Sequence, residues 1–185
     1  MTLEEYNRRL AFSDSHNRAS VIVDAVNDSD LTDEEYISML KEEWLTCDGI
    51  RPDQAKAMWK TRNLSCPIFE TAYGRRRFRE KSKEGMLDVY RGQIEGCLNF
   101  SWTLNLNKGA WFAFRYPYSP MAETIRKRDG LKPRNTELLM AKVAPDKVLG
   151  FFTSRRESEI VVDFEDVDDI RVHPSTPYFR PMDRL

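Results

Sequence analysis

Apolar residues recur at three- and four-residue intervals through the first half of the chain and fall into short runs and alternations through the second. This pattern predicts an α+β protein that opens with helices and closes on a β-rich core. In Leu31-Thr32-Asp33-Glu34-Glu35, Thr32 is placed to cap a helix with Glu35 closing a capping box, and Tyr36, Met39, Leu40 and Trp44 follow at helical spacing. Pro52 and Pro67 stand where a first helical turn accepts proline, so two further helices are expected to begin there. From residue 85 the pattern predicts strands at 86–90, 99–103, 137–144, 148–152 and 157–163. A helix over about 107–115, with Ala110, Trp111, Phe112 and Phe114, interrupts them, and a second short helix is expected at Pro120. Residues 128–135 read as a loop containing glycine and proline. The expected organisation is a helical part over 1–84, a β-rich core over 85–173 and an extended, proline-containing tail over 174–185.

Composition narrows this picture rather than changing it. The 185 residues are 41% hydrophobic and 32% charged, which suits a globular chain able to bury a core without disulfides or metal. A net charge of -1 gives the whole molecule no pull toward nucleic acid or an anionic membrane. Cys47, Cys66 and Cys97 lack a CxxC spacing, and the two histidines, His16 and His173, lie far apart, so neither a zinc site nor a disulfide framework is expected. The acidic start and the lack of an apolar run approaching ~20 residues predict a cytoplasmic protein with reduced thiols and no membrane association.

Three short segments carry the candidate chemistry, each at a predicted strand end: Tyr90-Arg91-Gly92, Ser101-Trp102-Thr103, and Arg156-Glu157-Ser158-Glu159 ahead of the apolar run Ile160-Val161-Val162. In order and context they resemble the arginine, serine and Glu-x-Glu signature of mono-ADP-ribosyltransferases, over about residues 86 to 163. The resemblance implies a split β-sandwich core behind a helical N-terminal part, NAD as substrate, no metal, and transfer of ADP-ribose to a protein side chain, arginine favoured, with release of nicotinamide. Small stand-alone transferases of this kind look like bacterial toxins or phage proteins that modify host machinery. The resemblance casts Glu159 as the carboxylate that bonds the nicotinamide ribose and stabilises the oxocarbenium-like state, and Glu157 as the group that orients the acceptor. Residues two apart on a strand share a face, so both would reach one cleft. Arg91 would be a permanently charged donor to NAD phosphate or ribose, and Gly92 would let the nicotinamide carboxamide approach its backbone. Ser101 would hold Glu159, with Thr103 as a second hydroxyl where the family often has serine. Trp111 and Phe112 are candidates for the aromatic wall around nicotinamide.

Each feature also has a plainer reading. Arg91 fits a surface arginine, the glutamates fit the solvated side of an edge strand, Ser101 fits a structural serine, and Trp111, Phe112 and Tyr90 fit a core. NAD hydrolysis needs the same carboxylate as transfer, and a non-catalytic module of this fold would hold a nucleotide or nucleic acid instead. The densest basic run, Arg75-Arg76-Arg77-Phe78-Arg79 with Lys81 and Lys83, suits nucleic acid or a phosphate-bearing target, though such runs are often only a solvated helix face. A second basic stretch, Arg126, Lys127, Arg128, Lys132 and Arg134, is a candidate for target recognition.

Overall fold

The computed structural model describes residues 1–94, 96–115, 136–154 and 158–175. The chain divides into two compact units, Met1–Ile68 and Phe69–Leu185. The expected helix at Pro120, the 128–135 loop, the basic stretch 126–134, Arg156 and Glu157, and the tail from 176 onward lie outside the described residues.

The first unit is helical: α1 (Leu3–Ala11), α2 (Arg18–Val26), α3 (Asp33–Glu43) and α4 (Pro52–Lys60). Thr32 caps α3 as its sequence predicts, accepting from the Glu35 amide while Glu35 accepts from the Thr32 backbone, and Thr2 and Glu5 repeat the device on α1. Helix α4 begins at Pro52, where the missing N–H is no loss. Tyr36, Leu40, Met58 and Trp59 are fully buried, and Trp44 meets Trp59 edge-on with centroids 5.3 Å apart. Arg62 closes this core. Its guanidinium donates to the carbonyls of Val26 (2.8 Å), Asp28 (2.7 Å), Leu31 (3.0 Å) and Ala25 (3.3 Å), and so ties the end of α2 to the segment that leads into α3. The same group lies 4.8 Å from the centre of the Tyr36 ring.

Pro67 does not open a helix. It precedes the two-residue strand β1 (Ile68–Phe69), and the next helix, α5 (Ala72–Ser82), starts behind Thr71, whose hydroxyl accepts from the Gly74 amide at 3.0 Å. Proline's fixed φ suits the start of a strand as well as a first helical turn, so the cap decided between them.

The second unit is built on β2 (Leu87–Ile94), β3 (Ser101–Thr103), β4 (Thr136–Val143), β5 (Gly150–Phe152), β6 (Glu159–Val161) and β7 (Asp168–Val172), in a seven-stranded sheet of order β1-β5-β6-β3-β2-β4-β7. Helix α6 (Leu106–Arg115) follows β3 and starts at Asn105, whose side chain accepts from the Asn107 and Lys108 amides. Strand β2 runs past its predicted end at Tyr90, because all eight of its residues pair antiparallel with β4, from Leu87↔Val143 to Ile94↔Thr136. One face of the sheet carries Val89, Trp102, Ile160, Phe151 and Ala141, with Phe78 of α5 in the same core cluster. The other face of β2 meets α6: a Cβ on Gly109 would lie 2.9 Å from Tyr90 Cβ and 3.0 Å from Leu138 Cδ1. No described helix is long and apolar enough to cross a membrane.

Candidate functional site

The described residues of the three sequence segments come together where β2 and β3 part. Their pairing is recorded at Tyr90↔Thr103, while β3 continues alongside β6 with Ser101↔Val161, Trp102↔Ile160 and Thr103↔Glu159. In that register Ser101 and Glu159 sit diagonally on one face. The Ser101 hydroxyl donates to Glu159 Oε1 at 2.7 Å, and both residues are partly exposed. Thr103 lies on the same face but is buried, and its hydroxyl accepts from the Asn105 amide at 3.1 Å at the turn into α6.

Arg91 reaches the pair from the opposite side of β2. Alternation places it on the Trp102 face, at the end where the core turns polar. Its guanidinium donates to the Ser101 carbonyl and, at 3.4 Å, to the Cys97 carbonyl, while its Nε donates to Gln93 Oε1 at 2.7 Å. The Ser101 carbonyl faces β2, because its neighbour Phe100 turns its own carbonyl to the amide of Val162 beyond β6. The guanidinium therefore occupies the place a backbone partner from β2 would take in a continued ladder. Gln93 is 1% exposed and donates to Glu137 Oε1 at 2.8 Å, which also accepts from the Gly96 amide at 3.2 Å. A continuous chain of hydrogen bonds thus runs Glu137, Gln93, Arg91, Ser101, Glu159. Gln93 and Glu137 escaped the sequence reading, although a polar residue two places from Arg91 on one strand is a same-face signal.

Gly92 has two distinct surroundings. Its missing side chain faces α6: a Cβ there would stand 2.1 Å from the Ala113 nitrogen, 2.2 Å from the Gly109 oxygen and 2.8 Å from the Phe112 carbonyl carbon. Helix packing alone therefore requires glycine. Its backbone groups turn elsewhere. Leu138, opposite Gly92, gives its carbonyl to the His173 amide at 2.7 Å, so this is a non-hydrogen-bonded pair, and the Gly92 amide and carbonyl point toward β3 beyond its recorded pair.

Trp111 is 42% exposed, packs edge-on against Phe112 at 5.0 Å, and has the Lys108 ammonium 5.2 Å from its ring centre. Ser158, just ahead of Glu159, is buried with φ +50°, a left-handed conformation that costs a serine energy and is often found beside functional groups. On the approach to this segment, Glu70 accepts from the amides of Thr153 and Ser154, both at 2.9 Å. The arrangement can present one carboxylate, fixed by a hydroxyl, at the mouth of a gap between two strands. No protein-family model, curated protein or solved structure matches the chain.

Proposed function

We propose that this chain is an NAD-dependent mono-ADP-ribosyltransferase of split β-sandwich type. The observation that carries the reading is the 2.7 Å hydrogen bond from Ser101 to Glu159, placed where Arg91 replaces the ladder between β2 and β3. A carboxylate fixed in one rotamer is what an oxocarbenium-like state needs: negative charge already in position, with no reorganisation as the glycosidic bond breaks. In this reading nicotinamide leaves from the anomeric carbon of the ribose, the acceptor nucleophile attacks that carbon, and the acceptor's proton is taken up by a carboxylate. Glu157 is the proposed acceptor-side base, and an arginine side chain on a protein target the favoured acceptor.

The remaining roles follow from position. Arg91 holds the β3 segment that carries Ser101, and its charge lies beside the gap that an anionic pyrophosphate would enter. The Gly92 amide and carbonyl are directed at the same gap, which suits a carboxamide that offers one acceptor and two donors. Thr103 and the Trp111–Phe112 pair are proposed to border NAD.

The test uses NAD labelled on the adenylate, incubated with the protein with and without a cell lysate, following free nicotinamide and protein-bound label. Glu159→Gln should reduce both by at least about a hundredfold while leaving the fold intact. Transfer in the folded variant at the wild-type rate overturns the mechanism. Nicotinamide release without bound label assigns glycohydrolysis instead, and neither signal from the folded wild type assigns a non-catalytic module.

A further inference from the structure

Strand alternation puts Val89, Arg91 and Gln93 on one face of β2, and the register sets Gln93 directly opposite Glu137 of β4. Gln93 is 1% exposed there, on the face that carries Val89 and Trp102. A buried amide is costly unless its polar atoms are bonded, and here both ends are. The amide oxygen accepts from Arg91 Nε at 2.7 Å, and the amide nitrogen donates to Glu137 Oε1 at 2.8 Å. Arginine offers only donors and an ionised carboxylate only acceptors, so the amide fits in one orientation; turned over, it would lose both bonds. A glutamate at 93 would also accept from Arg91. It would, however, set a full negative charge against the guanidinium and a second carboxylate against Glu137. At this contact the guanidinium meets a neutral acceptor, and the charge of Glu137 stands one side chain further off.

Resting on the transferase reading, we propose that Gln93 is a positioning residue: it fixes the Arg91 guanidinium beside the NAD gap while holding carboxylate charge one side chain away from it. Glu137 anchors the link and is itself held by the Gly96 amide at 3.2 Å. The amide separates two properties that a carboxylate at 93 would couple. Orientation of Arg91 comes from the hydrogen bond to its Nε, which a neutral acceptor supplies. Attraction for an anionic pyrophosphate comes from the guanidinium charge, which an adjoining carboxylate would offset.

The experiment moves the carboxylate without changing the net charge. In Gln93→Glu combined with Glu137→Gln, residue 93 still accepts from Arg91 and residue 137 donates to it in return, so only the exposed Gly96 bond is given up. Gln93→Met removes the link at similar volume. Two readouts are taken on the full chain. Heteronuclear NMR of the Arg91 Nε–H, assigned by its absence in Arg91→Lys, reports fixation without NAD, and steady-state nicotinamide release gives kcat and KM. The double variant should keep a slowly exchanging Arg91 Nε–H and a kcat within about threefold of wild type, while KM for NAD rises about tenfold. Gln93→Met should speed that exchange at least about tenfold and raise KM as well. A merely structural residue would instead lower the active fraction, and with it the apparent kcat, leaving KM unmoved. If the double variant melts below wild type, Gln93→Glu alone takes its place. Equal exchange in wild type and Gln93→Met overturns the inference whatever the turnover, and a wild-type KM in the double variant overturns its charge argument. A wild type with slow Arg91 exchange that neither binds nor cleaves NAD overturns the transferase reading, and Gln93 then has no part in NAD binding.

Discussion

Replacing Gly92 by alanine is the sharpest perturbation of this architecture. The added methyl would stand 2.1 Å from the Ala113 nitrogen and 2.2 Å from the Gly109 oxygen, where ordinary contact begins at 3.4 Å, so β2 and α6 must separate by about 1.3 Å. Both obstacles are helix backbone, which cannot rotate aside as a side chain can. Overpacking of this kind costs about 1–3 kcal/mol, and the rigidity here places it at the upper end. About 3 kcal/mol corresponds to a fall of roughly 6–12 °C in Tm for a chain of this size. Two other glycines calibrate the experiment. At Gly109 a Cβ meets Tyr90 Cβ at 2.9 Å and the movable Leu138 Cδ1 at 3.0 Å, and at Gly74 its nearest neighbours are threonine side chains at 3.3 Å or beyond. Part of the Gly109→Ala cost is offset by the roughly 1 kcal/mol that alanine gains over glycine within a helix. Thermal unfolding should therefore rank Gly92→Ala well below Gly109→Ala, with Gly74→Ala near wild type. Hydrogen exchange should show lost protection over β2 and α6 and none over α1 to α4. A Gly92→Ala protein that melts within about 2 °C of wild type would refute the packing argument, leaving ligand approach as the reason for glycine.

Three further outcomes follow from the same geometry. Arg62→Ala strips four carbonyls of a shared donor and should cost about 3 kcal/mol, read as a lowered urea midpoint; a midpoint that does not move would show that water serves those carbonyls equally well. Ser101→Ala releases Glu159 and should lower kcat for nicotinamide release roughly tenfold with KM for NAD nearly unchanged; an equal rise in KM would mean that Ser101 binds NAD rather than positioning the carboxylate. Burial, with a smaller contribution from Glu43, pushes the Cys47 thiol up to about 12. A raised thiol pKa favours the neutral form, and although burial raises the Cys66 thiol as well, Cys66 is exposed and Cys47 only half so, so iodoacetamide should modify Cys66 first. Reaction of Cys47 at the rate of a free thiol would show that its site opens.

What could be read directly from the chain was local. Thr32 with Glu35, Pro52 at a first turn, and the apolar runs of β4, β5 and β6 each act within one turn or one strand, where spacing alone decides the outcome. Ser101 and Glu159 stand at the start of short strands, as their patterns predict, whereas Arg91, expected at a strand end, lies within β2. The rest depended on which elements meet. Strand β7 is exposed at all five positions and contains Asp168 and Asp169, so no alternation announces it; it exists because β4 offers an edge. Arg62 finds its carbonyls across more than thirty residues of chain. Gly92 needs to be glycine because a helix two elements away lies on it, and Gln93 and Glu137 join the site only through the β2–β4 register. The sequence by itself determined the capped helices α3 and α4 and the apolar strands β4, β5 and β6, because capping and periodicity are short-range. Only the tertiary structure decided that Ser101 lies diagonally from Glu159 with Arg91 behind it, because register and helix packing are fixed by contacts distant in the chain.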